Sequence, residues 1–307
     1  MAHQENAKPA TAPASAAKNT IALSADAVSA LSQLLKRRWK CYRKQLRRSR
    51  RKVSARSIHD ARVEARRVLS VLDLLRPFVA KKRLARIEHD LKCHLDTFDD
   101  LRDAQVQLDA VGKIRKGAPE AGRFHKYLKQ RERHLRRWTC KRAKHLGQKR
   151  LSKLVSDSRK DVQAWLKDSG PAQANVLLSN ALLRAFTTVA SRKARIDPRK
   201  PRTIHCTRIA FKRYRYMVEG LAPHVPWADQ PFLQAMHDYQ SLMGDIQDAE
   251  VLRKTFQKFI QKRKPKEQVS VKLGNQLLRR RDELIRRYTR AADQLREFEP
   301  PKSRMRS

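Results

Sequence analysis

Residues 57–69, SIHDARVEARRVL, and residues 203–215, TIHCTRIAFKRYR, carry the same order of histidine, basic and apolar residues. In both stretches the apolar residues recur at intervals of three and four, which places them on one face of an α-helix. Each stretch opens with a hydroxyl residue, Ser57 or Thr203, of the kind favoured at a helix N-cap. The two stretches therefore predict two amphipathic helices that each begin with a histidine.

The likeness between the two stretches extends along the chain. Residues 58–75 align with residues 204–221, and DLRDAQV at 100–106 aligns with DIQDAEV at 245–251, so that the offsets are 146 and 145 residues. Two matched motifs in the same order and at nearly the same spacing indicate an internal repeat. We expect the repeated unit to contain four helices.

The remainder of the chain also predicts helices. Glycine is scarce, at 8 of 307 residues, and helical periodicity runs almost to the end of the sequence. Proline and glycine separate eight predicted helices, at 25–50, 57–76, 81–112, 118–167, 173–194, 203–221, 229–261 and 266–297. The predicted fold class is all-α.

The composition along the chain divides it into four parts. Residues 1–24, rich in Ala, Pro, Thr and Ser, predict a disordered tail. Residues 25–168 and 172–298 are the two predicted four-helix halves, and residues 299–307 form a basic C-terminal tail.

The net charge predicts a polyanionic partner. The 72 Lys and Arg residues outnumber the 30 Asp and Glu residues, for a formal charge of +42. Such a chain repels itself unless a polyanion binds it. Nucleic acid, an anionic membrane surface and an inorganic polyanion all satisfy this requirement.

The cysteine pattern and the hydrophobic pattern predict the compartment. The four cysteines have no C-x-x-C spacing, which is typical of a reducing cytosol. The N-terminus lacks the features of a signal peptide, and no apolar run has the length of a membrane span. We expect a soluble, cytoplasmic protein whose oligomeric state the sequence does not indicate.

One stripe of each histidine-led helix is basic. Because residues three and four apart share a helix face, the stripe comprises His59, Arg62 and Arg66 in the first helix and His205, Arg208, Lys212 and, slightly off axis, Arg215 in the second. The predicted caps place both histidines in the first helical turn, where free N–H groups and the helix dipole favour phosphate. A solvated basic face is the alternative. Repetition of histidine, spacing and cap favours anion binding.

Two other patterns suggest metal sites. DDLRD at 99–103 matches the magnesium motif of all-helical prenyl-diphosphate enzymes, but its repeat has Gly244 in place of Asp99. Ion pairs of Asp100, Asp103, Asp245 and Asp248 with arginines of neighbouring helices are the favoured explanation. His89, Cys93 and His94 could seat a metal, yet a packed helix face is the simpler interpretation. With no nucleophile motif either, we predict no catalytic residue, no metal and no cofactor.

The scarcity of aromatic residues bears on which polyanion binds. Aromatics make up 6% of the chain, and no helix-turn-helix, zinc-binding or RNA-recognition signature is present. Nucleic-acid binders add base contacts or stacking to their phosphate contacts, which favours inorganic polyphosphate here. The alternatives are non-specific nucleic-acid binding, a magnesium-dependent diphosphate enzyme using DDLRD, and attachment to a lipid or polyester granule.

The paired motifs, SIHDARVEARRVLSVLDLL before LRDAQV and TIHCTRIAFKRYRYMVEGL before MGDIQDAEV, resemble the CHAD family, the conserved histidine α-helical domain. The resemblance spans residues 25–298. It implies two pseudo-twofold-related four-helix bundles around a basic channel that binds inorganic polyphosphate, in a protein located on polyphosphate granules.

The resemblance also implies the binding residues. They are His59, Arg62, Arg66, Arg67, His205, Arg208, Lys212, Arg213 and Arg215. The first half has Leu69 at the position of Arg215, so we expect the two halves to bind unequally. The chain lacks the E-x-E-x-K signature of the triphosphate-tunnel domain found in some family members, which implies a stand-alone binding module and no enzyme activity.

Overall fold

The computed structural model describes residue 21 and residues 23–114, 119–262 and 271–301. These residues form eight α-helices and no strand: α1 Ala27–Arg51, α2 Ala55–Leu74, α3 Lys81–Ile114, α4 Pro119–Ala143, α5 Lys149–Ala194, α6 Pro201–Leu221, α7 Gln230–Gln261 and α8 Val271–Ala291. Short 3-10 helices follow α2, α6 and α8, at Arg76–Phe78, Ala222–His224 and Ala292–Phe298. The predicted all-α class is confirmed.

The helix predicted over 118–167 is wrong, because the chain turns between α4 and α5. The turn is closed by short-range backbone hydrogen bonds, from the His145 amide to the Arg142 carbonyl at 3.1 Å and from the Leu146 amide to the Ala143 carbonyl at 3.3 Å. Helical structure then resumes at Lys149.

The predicted break at residues 170–171 is a kink inside α5. Gly170 has φ 76° and ψ 167°, and Pro171 follows it. Only glycine takes such angles without a Cβ clash. Two straight helical segments therefore meet at Gly170 in a single element.

The predicted tails fall mainly on residues 1–20 and 302–307, which lie outside the described residues, as do residues 266–270 of the last predicted helix. Packing already begins at Ile21, which is only 3% exposed. Its carbonyl accepts a hydrogen bond from Ser179 Oγ at 3.4 Å. The packed part of the chain thus starts before residue 24.

Successive helices pack against one another within each half of the sequence. α1 contacts α2, α2 contacts α3, and α3 contacts α4, while α5, α6, α7 and α8 follow the same order. In addition, α2 packs against α6 and α3 packs against α7. The helices that correspond in the internal repeat are therefore neighbours in space.

The apolar faces of α2 and α6 lie in the main core. Val68 and Leu72 of α2 and Phe211 and Tyr214 of α6 are fully buried. Burial of each such side chain contributes about 1.5–3 kcal/mol to folding. Because these faces point into the core, the basic stripe of each helix must lie on the other side.

We find no helix among the described residues with the length and apolar character needed to cross a membrane.

We predict opposite effects on stability for two glycine substitutions. Gly170→Ala should lower the free energy of unfolding by about 1–3 kcal/mol, because alanine is strained at these backbone angles. Gly112→Ala, inside α3 and with open space around the new methyl group, should raise it by about 0.5–1 kcal/mol. Urea unfolding followed by circular dichroism measures both. Equal effects of the two changes would contradict the assignment of strain to Gly170.

Candidate functional site

The starts of α2 and α6 differ from the prediction. Ser54, not Ser57, caps α2, and the two serines form a reciprocal capping box in which the Ser57 amide donates to Ser54 Oγ at 3.2 Å. α6 begins at Pro201, and Thr203 Oγ1 donates to the Lys200 carbonyl at 2.8 Å.

Both histidines consequently lie one turn further into their helices than predicted. His59 and His205 are each the fifth residue of the helix, beyond the backbone N–H groups left free at a helix start. The predicted role of those N–H groups beside the histidines is therefore wrong. Side chains alone make up the basic surface at these positions.

The basic stripes of α2 and α6 meet at a cavity of about 390 Å³, which we call the basic cavity. Six of the nine residues predicted from the sequence line it, namely His59, Arg62, Arg66, His205, Arg208 and Lys212. Helices α3 and α7 close the opposite side with Asp99, Arg102, Asp103, Gln107, Gln247 and Asp248. The repeated sequence pattern therefore identified two helices, α2 and α6, that line the same cavity.

The other three predicted residues lie outside the lining of the basic cavity. Arg67 donates to Glu64 at 2.6 Å, and Arg213 pairs with Asp73. These arginines follow Arg66 and Lys212 by one residue, which turns them about 100° around the helix axis.

Arg215 is buried, with 6% of its surface exposed. Its Nε donates to Gln240 at 2.9 Å, and it also pairs with Glu219. Its guanidinium carbon lies 4.6 Å from the centre of the Tyr216 ring. The difference between Arg215 and Leu69 therefore does not alter the basic cavity directly.

Crowding of the cations changes their protonation. Burial, together with the neighbouring Arg66 and Arg208, lowers the pKa of Lys212 to about 6. Burial and Arg66 lower the pKa of Arg62 to about 10. Burial also lowers the pKa values of His59 and His205. These surroundings therefore favour the uncharged form of Lys212.

Carboxylates of α3 and α7 offset part of this charge. Asp99 forms an ion pair with Arg62. Burial raises the pKa values of Asp103 and Asp248, while Arg62 opposes the rise for Asp103 and Arg208 opposes it for Asp248. Asp103 and Asp248 thus lie at the cavity with Arg62 and Arg208, whereas the predicted ion pairs of Asp100 and Asp245 with arginines are not seen among the described residues; the ion pair with Arg62 is made by Asp99.

Arg102 was not among the predicted binding residues. It lies on the wall of the basic cavity, and its charge contributes to lowering the pKa of His59. Its position three residues after Asp99, on one stripe of α3, is the pattern that could have identified it.

A second cavity of about 460 Å³ adjoins the basic cavity. The two share Asp103, Gln107 and Val251. Arg131, Lys258 and Lys262 line the second cavity. Positive charge thus continues beyond the histidine-led helices.

The other candidate metal ligands are placed differently. His94 is buried and shares a hydrogen bond with the Tyr42 hydroxyl at 2.6 Å, whereas Cys93 lies at the exposed surface with its sulfur 3.7 Å from His89 Nε2. Within the described part of the chain, no group of three or more His, Cys, Asp or Glu side chains is arranged to hold a metal ion.

The site and fold define an all-helical protein in which two internally similar helices meet at a basic cavity. The profile of the CHAD domain matches residues 30–257, and the chain belongs to the CHAD family. A comparison with curated proteins gave no match.

Two solved structures have a similar fold. PptA from Streptomyces chartreusis aligns with a TM-score of 0.62 and 14% identity, over 88% of this chain and 99% of that one. The crystal structure of the CHAD domain from the plant Ricinus communis aligns with a TM-score of 0.61 and 18% identity, over 97% of this chain and 100% of that one. At these identities the likeness concerns the fold.

Proposed function

We propose that the basic cavity binds inorganic polyphosphate and that the protein attaches to polyphosphate granules in the cytoplasm. The observation that carries this proposal is the convergence of six His, Arg and Lys side chains from α2 and α6 on one cavity. No Phe, Tyr or Trp is among the described residues that line it, so it lacks the large aromatic side chains on which single-strand binders stack bases. Membership of the CHAD family adds support.

The proposed mechanism is multivalent binding without turnover. Arginine donates two parallel hydrogen bonds to phosphate oxygens, and charge-assisted bonds are stronger than neutral ones. In this proposal residues 25–168 and 172–298 are two halves related by a pseudo-twofold axis, so that α2 and α6 contact the polymer from opposite sides. The packing of α2 on α6 and of α3 on α7 supports this arrangement.

A long polymer would extend into the adjoining cavity. Arg131, Lys258 and Lys262 would then contact phosphates beyond those held by the histidine-led helices. Asp103, Gln107 and Val251 line both cavities and so join the second cavity to the first.

We expect Arg208→Gln to weaken polyphosphate binding and Arg213→Gln to leave it within a factor of about two. Arg208 lines the basic cavity, whereas Arg213 lies on the same helix and pairs with Asp73 outside it. Loss of a charge-assisted hydrogen bond costs about 1.5–3 kcal/mol, which corresponds to about a tenfold or greater change in Kd. Fluorescence anisotropy with labelled long-chain polyphosphate measures both variants at one fixed salt concentration.

The same assay separates polyphosphate from nucleic acid. Unlabelled polyphosphate should displace the labelled polymer at much lower phosphate concentration than duplex DNA or RNA does. Equal displacement by nucleic acid, or equal losses in the two arginine variants, would indicate non-specific attraction to the net charge. Polyphosphate would then bind to the positive surface as a whole and not in the basic cavity.

We expect polyphosphate binding to take up protons at neutral pH and to weaken as the pH rises above about 6. The pKa of Lys212 is about 6 without an anion, and a bound anion favours the charged form and raises it. The complex then binds more protons than the free protein does, so that higher pH opposes binding.

Calorimetry in two buffers of different ionisation enthalpy measures the proton uptake. Lys212→Met should reduce it. Lys254→Met, which removes a lysine that pairs with Glu250 at 3.3 Å outside the basic cavity, should not. Absence of uptake in the unsubstituted protein would contradict the coupling.

We expect a fluorescent fusion to form granule-associated foci and to become diffuse in cells unable to synthesise polyphosphate. The proposed attachment depends on the polymer and not on a lipid or polyester surface. Fluorescence microscopy of both strains, with the Arg208→Gln fusion alongside, measures the fraction of cells that contain foci. Foci that persist without polyphosphate would favour the granule-surface alternative.

A further inference from the structure

The two sides of the basic cavity are not equivalent. In the internal repeat Arg62 of α2 corresponds to Arg208 of α6, and Asp99 of α3 corresponds to Gly244 of α7. One arginine therefore has an aspartate beside it, whereas the other has a glycine at the same place.

On the α2 side the arginine is already occupied. Arg62 forms an ion pair with Asp99, and its Nη1 lies 3.5 Å from the Leu95 carbonyl oxygen. A phosphate that approached Arg62 would have to displace the Asp99 carboxylate or share the guanidinium with it. Asp99 thus holds the place that a phosphate oxygen would take.

On the α6 side the arginine is open. Arg208 lies directly over Gly244, where a Cβ atom would be 3.4 Å from Arg208 Nε and 3.6 Å from Nη2. Arg208 Nε and His205 Nδ1 are both buried without a hydrogen-bond partner. An unpaired buried polar atom is destabilising, and a phosphate oxygen would give Arg208 Nε a hydrogen-bond partner.

The remaining carboxylates do not account for this difference. Asp103 faces Arg62 and its counterpart Asp248 faces Arg208, and burial raises the pKa of both. Because these two aspartates correspond in the repeat, they act on both sides. Asp99 is the carboxylate of the cavity wall whose counterpart, Gly244, carries no charge. Arg102 likewise corresponds to the uncharged Gln247.

We infer that Asp99 is a built-in competitor of the phosphate ligand, so that His205 and Arg208 form the primary phosphate-binding point and Arg62 engages only after a phosphate displaces Asp99. This inference rests on the proposed function and adds the order in which the two arginines bind phosphate. A short polyphosphate would depend on Arg208 and hardly on Arg62. A long one would contact both.

The experiment exchanges the unequal residues and measures the Kd for tripolyphosphate and for long-chain polyphosphate by calorimetry. Asp99→Asn keeps the size of the side chain and removes its charge, and should tighten binding of long chains about tenfold, the scale of one charge-assisted hydrogen bond. Gly244→Asp supplies Arg208 with a carboxylate and should weaken both ligands about tenfold. Circular dichroism confirms that each variant is folded.

Two matched controls accompany these variants. The first distinguishes the effect of an added charge from that of added volume, and the second distinguishes a charge change in the basic cavity from one elsewhere. Gly244→Asn adds nearly the same volume as Gly244→Asp without a charge and should weaken binding less. Asp109→Asn removes a carboxylate that pairs with Lys113 on α3 outside the basic cavity, and should leave the Kd unchanged within a factor of about two.

A double change tests the order directly. The tightening of long-chain binding by Asp99→Asn should be largely lost when Arg62→Gln is added, because the gain comes from the released Arg62 guanidinium. If the protein binds polyphosphate and Asp99→Asn does not tighten it, or Asp109→Asn tightens it equally, the inference is overturned and the proposed function stands. If the unsubstituted protein binds neither ligand, the proposed function fails as well.

Discussion

The packing of α2 against α6 forces like charges together, and the rest of the site depends on that constraint. The apolar faces of these helices, with Leu72 and Phe211 fully buried, fix their orientation. Each buried side chain contributes more than most exposed ion pairs do, so packing prevails over repulsion between the basic stripes. The repulsion appears instead as altered protonation, most clearly in Lys212, whose pKa falls to about 6.

The aspartates of α3 and α7 explain how a folded chain tolerates this arrangement. Asp103 and Asp248 line the cavity opposite the arginines, and desolvation there raises the pKa values of both. Arg62 and Arg208 oppose the rise that burial imposes on the pKa values of Asp103 and Asp248, and Asp103 opposes the fall in the pKa of Arg62. Charge balance across the cavity is a sufficient reason for one aspartate of each repeated motif, Asp103 in DLRDAQV and Asp248 in DIQDAEV.

Helical periodicity and the internal repeat were enough to predict the all-α class and to bring six residues to one cavity. The helix starts were not predictable in this way, because Ser54 and Lys200 lie before the repeated stretches and determine where each helix begins. Arg215 shows a second limit. Its partner Gln240 belongs to a different helix, α7, and a pattern within one helix carries no information about such a contact. The turn after Ala143 was missed because helical periodicity continues on either side of it.

The glycine beside Arg208 has a consequence for how such a cavity can arise. In an assembly of two identical subunits, any substitution appears on both sides of the symmetry axis, so that Asp and Gly could never occupy equivalent positions. Here both copies belong to one polypeptide, and each is free to change alone. Asp99 and Gly244 record such a divergence. Fusion of two like units in one chain thus permits the two sides of one cavity to differ in charge, which a symmetric dimer cannot encode.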